Sequence, residues 1–144
     1  MNKEPKDQCY FRLRLQELLN TSFPEKATDQ KFIEQRSARA ANAYEGAFLG
    51  GNTVEQCNEI ANFILFEGLY FSKFDTIFQV VCQEFDTIMA DEELRPFALK
   101  IFPLCEPVFE RYELTDDFAY TTDCDRLYTE LSDTITTCIS KNGL

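Results

Sequence analysis

Between Val54 and Ile88 two apolar helical segments meet at Gly68, and this stretch constrains the chain more than any other. The second segment carries Phe74, Ile77, Phe78, Val81, Cys82, Phe85 and Ile88 at helical spacing, with Lys73, Thr76, Gln79, Gln83, Asp86 and Thr87 on the opposite face. A stripe of that period needs other helices to cover it, and Phe78 reads as one of its anchors. The first segment is less tidy. Cys57, Ile60, Ala61, Ile64 and Leu65 share a face, but Phe63 and Phe66 occupy another, so this helix is buried on most sides or shows its second face to a partner. Thr53 to Gln56 fits a capping box and Ser72 to Asp75 supplies a second cap, so the pair reads as the centre of a helical core.

The flanks repeat this pattern. Asp7 can start a helix that ends near Asn20 and buries Phe11, Leu15, Leu18 and Leu19, because Pro24 pushes the preceding residue out of helical geometry. Thr28 or Asp29 opens a second helix that runs to Leu49, buries Ile33, Ala40, Tyr44, Ala47 and Phe48, and closes at Gly50-Gly51. Beyond Asp91, Leu94, Phe97, Ala98 and Ile101 face inward until Pro103 breaks or kinks the segment. A separate short helix with Val108, Phe109 and Tyr112 then follows. A last helix from about Asp123 to Ser140 buries Leu127, Leu131, Ile135, Cys138 and Ile139. The expected fold is all-α, a multihelical bundle of six to seven helices with no sheet, forming a single domain over 1–144 with 1–6 frayed.

Charge and cysteine usage narrow the partners. Residues 1–40 hold eight Lys or Arg against six Asp or Glu, net +2, and residues 41–144 hold six against nineteen, net −13. Duplex nucleic acid binds through Lys and Arg that replace its counterions, so this balance disfavours direct nucleic-acid binding and suits a basic partner. No apolar leader or membrane-length run is present, and six cysteines without short paired spacing read as reduced thiols, so a cytoplasmic protein is expected.

Candidate chemistry is sparse. The chain has no histidine, which removes Ser-His and Cys-His pairs and imidazole zinc sites, and it has no phosphate-cradling glycine loop. No catalytic residue, cofactor or metal ligand is assigned. The carboxylates worth following are Glu106 and Glu110, one helical turn apart, and the adjacent Asp116 and Asp117 in the polar stretch Glu113 to Thr122. The aromatics left over for a surface are Phe63, Phe66, Tyr70, Phe118 and Tyr120.

Several strings stand out together: Tyr10-Phe11-Arg12-Leu13, Phe32-Ile33-Glu34, Ala43-Tyr44-Glu45, GLYFSK over Gly68 to Lys73, Glu84-Phe85, Ala98-Leu99-Lys100, PLCE over Pro103 to Glu106, and YELTDDFAY over Tyr112 to Tyr120. On these the chain resembles, over almost its whole length, a family of small uncharacterised helical proteins from Bacteroidetes, often encoded on conjugative or other mobile elements. The resemblance implies an all-α bacterial cytoplasmic protein, and it brings no activity and no site residues.

Three functional expectations follow. The first is a non-enzymatic interaction module that binds a protein partner, a basic protein or a second copy of this chain, through the spare aromatics. The second is an acidic decoy that occupies a DNA-binding surface. The third is a carboxylate-based or metal-assisted enzyme that uses Glu106, Glu110, Asp116 or Asp117, disfavoured by the missing motifs.

Overall fold

The structure, a computed structural model, describes residues 7–142, Asn142 by its backbone alone. The fraying expected of residues 1–6 lies outside the described residues. Six α-helices follow in order: α1 (Gln8–Ser22), α2 (Gln30–Leu49), α3 (Val54–Leu65), α4 (Lys73–Glu84), α5 (Asp91–Phe109) and α6 (Asp123–Asn142), with a 3-10 helix at Phe118–Tyr120 and no strand among the described residues. No helix among them is long and apolar enough to cross a membrane.

The caps form where the side-chain chemistry places them. Asp29 accepts the Phe32 N–H at 3.1 Å, and Ser72 accepts the Asp75 N–H at 2.9 Å. At Thr53 the box is reciprocal: its Oγ1 accepts the Gln56 N–H at 3.1 Å and its own N–H donates to Gln56 Oε1 at 2.9 Å.

Packing divides the helices into two compact units, Met1–Leu69 and Tyr70–Leu144. In the first, α2 lies between α1 and α3 over a core that includes Phe11, Leu15, Ile33, Tyr44, Cys57 and Leu65. Arg36 on α2 ties the end of α3 down, its guanidinium donating to the carbonyls of Ile64 at 3.3 Å, Leu65 at 3.2 Å and Glu67 at 2.7 Å. Of these, the Leu65 carbonyl is the last of α3 and has no donor within the helix. Glu67 itself leans into solvent at the turn.

In the second unit α4, α5 and α6 each pack on the other two, around Phe74, Ile77, Val81, Ala98, Cys105 and Leu131. Val54 to Ile88 is therefore shared between two cores and is the centre of neither. Gly68, at φ +78, turns the chain; Leu69 is buried in the first core, and Phe71 packs on the second.

Several expectations are corrected. One continuous α5 replaces the two short helices expected around Pro103, although it holds Pro96, Pro103 and Pro107. Each proline removes a hydrogen bond to the carbonyl four residues earlier, here those of Glu92, Leu99 and Pro103. All three prolines and all three of those residues are exposed, so water satisfies the released carbonyls on the face where helix bonds are weakest. α4 stops at Glu84, so Ile88 leaves the stripe and is exposed, while Phe85 folds back into the core. Phe78 is only half-buried, and Phe74 is the anchor. Phe48 and Ile60 are exposed as well, the first on the last turn of α2 and the second beside a face of α3 that Cys57, Ala61 and Leu65 fill.

Candidate functional site

The five aromatics proposed as a surface divide sharply. Phe118 is 3 % exposed, its ring edge-on to Phe71 at 5.1 Å and to Tyr112 at 5.7 Å, so it belongs to the second core. Phe66 is half-buried against the first core, with the Arg14 guanidinium 5.2 Å from its ring centre. Neither is a free surface group. Phe63 stands 66 % exposed on α3, and Tyr70 and Tyr120 in the second unit are 56 % and 89 % exposed.

The four carboxylates differ in their surroundings. Glu106 is paired with Lys73, Oε1 to Nζ at 2.6 Å, and Glu110 is exposed just past the end of α5. Asp116 accepts the Tyr70 N–H at 3.5 Å, and the Asp117 carbonyl accepts the Tyr120 N–H at 2.9 Å as the 3-10 helix begins. Among the described residues no three Asp, Glu or Cys side chains gather in a metal-binding arrangement. The cysteines are free thiols; burial pushes that of Cys105 up to about 12, which keeps it protonated and unreactive.

One concavity does combine usable groups. A cleft of about 280 Å³ opens in the second unit where the first turns of α4 and α6 meet the 3-10 helix, lined by Tyr70, Phe71, Asp75, Gln79, Ala119, Cys124, Asp125 and Tyr128 among others. Two of the strings that carry the family resemblance, GLYFSK and YELTDDFAY, meet here: Tyr70 and Phe71 line one side, and Ala119 lies between buried Phe118 and exposed Tyr120. The tip of Tyr128 is fixed, its hydroxyl 2.7 Å from Gln83 Oε1 and 2.9 Å from Glu84 Oε2. Partial burial first, then the hydrogen bond and charge of Glu84, push its phenol up to about 12. Two other hollows are plainer: one of about 510 Å³ is lined only by α2 side chains between Phe32 and Arg39, and one of about 390 Å³ flanks the start of α5 at Met89 and Phe97. In the sequence Asp75 and Asp125 read as ordinary first-turn acids, and Tyr128 carries no signal of its own. Only the meeting of two helix starts gives them a common address.

The family model described as a domain of unknown function (DUF1896) matches residues 3–144. The chain belongs to the DUF1896 family. The solved structure of protein PG0816 from Porphyromonas gingivalis is similar to it, with a TM-score of 0.89 and 34% identity over 96% of this chain and 94% of that one. A search of curated proteins returns no match. The Bacteroidetes affinity and the all-α fold implied by the sequence strings both stand, and DUF1896 membership brings no chemistry to add to the cleft.

Proposed function

We propose that this DUF1896 protein is a non-enzymatic protein-protein interaction module whose contact surface centres on Tyr120 and Tyr70 beside the cleft of the second unit. The observation that carries the reading is the pairing of Phe118 and Tyr120. Buried Phe118 pins the loop, the Thr121 hydroxyl donates to the Phe118 carbonyl at 2.7 Å, and the resulting ordered turn holds Tyr120 out at 89 % exposure. An exposed tyrosine on such a turn is what binding surfaces use, because it offers a large contact area with few torsions to freeze.

The test is affinity capture from lysate of a Bacteroidetes host, with the full chain as bait against a Tyr70→Ser/Tyr120→Ser double variant. Both side chains are exposed, so the variant should melt with the parent. A partner held by the parent and lost by the variant is expected; equal capture by both would end the reading.

A second reading, the acidic decoy, draws on the charge of the second unit, where six Lys or Arg face fifteen Asp or Glu for a net −9. Its signature would be a captured DNA-binding protein that duplex DNA displaces from the bait. A partner indifferent to DNA would rule it out.

A further inference from the structure

On the interaction reading above, we infer that the cleft between the starts of α4 and α6 is an arginine pocket, in which Asp75 and Asp125 receive the guanidinium of a partner's exposed arginine beside Tyr70 and Tyr128.

Charge is the first ground. No Lys or Arg lines the cleft, and the nearest cations in sequence are engaged elsewhere: Lys73 with Glu106 at 2.6 Å, and Arg126 with Asp123 at 3.5 Å. Neither Asp75 nor Asp125 is in an ion pair among the described residues. Both lie in the first turn of a helix, whose N-terminus carries about half a positive charge. Two carboxylates against two such ends leave a net of about one negative charge in the cleft. The surrounding unit, at net −9, adds a field of the same sign.

The walls supply the second ground. Tyr128 has its hydroxyl engaged by Gln83 and Glu84, and Phe71 is held by Phe118, so two of the aromatic walls are fixed before anything binds. A cation against such rings gains from their quadrupole, and a planar guanidinium gains more than an ammonium because it stacks and is less strongly hydrated. Its five N–H groups form a fork that can reach acceptors on two different helices, which a point-like ammonium does less well. Size agrees: about 280 Å³ is at or below the lower end of small-molecule sites, enough for one side chain.

The experiment is a titration of the full-length, isotope-labelled protein with N-acetyl-arginine amide, followed in proton-nitrogen correlation spectra, with the citrulline amide as the neutral isostere and the lysine amide as the second cation. Saturable shifts confined to the cleft residues are expected with arginine, weaker ones with lysine and none with citrulline. Asp75→Asn/Asp125→Asn should weaken arginine binding about tenfold or more. Asp133→Asn, an exposed acid of α6 that does not line the cleft, should leave it unchanged. Shifts spread over the acidic surface, or equal affinity for citrulline, or equal affinity in both variants, would overturn the assignment. The capture experiment fails independently. Loss of a partner from the tyrosine variant with no arginine response removes the pocket and keeps the module; an arginine response in the cleft with capture unchanged does the reverse.

Discussion

Phe118 and Tyr120 are two residues apart in one polar loop, and their fates are opposite: the first closes a core, and the second is almost wholly in solvent. A comparable contrast on α4 yields a stability prediction. Phe74 is fully buried and Phe78 is half-buried beside it, the rings stacked with centroids 6.0 Å apart. Phe74→Ala should cost about 3 to 5 kcal/mol in urea unfolding, the range for a cavity in a packed core. Phe78→Ala should cost about 1 to 2 kcal/mol, since only part of its surface leaves water. The reverse order would mean that α4 is wrongly phased. Tyr128 provides a test in pH. Its folded value near 12 lies above the ordinary 10.0, so the folded chain holds that proton more tightly than the unfolded chain does. The stability this supplies is complete below pH 10 and is lost as pH rises towards 12. Urea midpoints of the parent and of Tyr128→Phe should therefore converge over that interval, and a constant gap would contradict the assignment.

At the scale of elements, glycines and prolines decide where helices run and where they stop. Gly46 lies inside α2 with nothing within 4 Å of an added Cβ, so Gly46→Ala should stabilise the protein by about 0.5 to 1 kcal/mol. Gly68 also has open space around it, but its φ of +78 is one that side chains rarely adopt. Gly68→Ala should therefore destabilise by about 1 to 2 kcal/mol, from backbone strain alone. Opposite signs for two sterically open glycines, read as shifts in thermal melting, would separate conformation from packing. Helix existence was legible in the sequence because Thr53, Ser72 and Asp29 each announce a start and the apolar period follows. The unbroken α5 was not legible. A proline in a sequence carries no mark of which face it will occupy, and only on an exposed face are the lost hydrogen bonds replaced by water.

For the whole molecule, the sequence pattern identified which residues are buried better than which core they join. Leu69 and Phe71 are separated by one residue, have similar hydrophobicity, and serve different units. Nothing in their local sequence distinguishes them. The same limit applies to the candidate site. Tyr70 and Tyr120 were legible as aromatics left over once each helical stripe was filled. Asp75, Asp125 and Tyr128 belong to the site only through tertiary convergence. A surface beside this cleft that receives a protein partner should be caught in the act by site-specific photocross-linking in living host cells. A photoreactive phenylalanine analogue placed at position 120 should give a discrete adduct with a single protein. The same analogue at Glu17, an exposed residue of α1, should give none. Matching patterns from positions 120 and 17, or no adduct from either, would mean that this surface binds no partner.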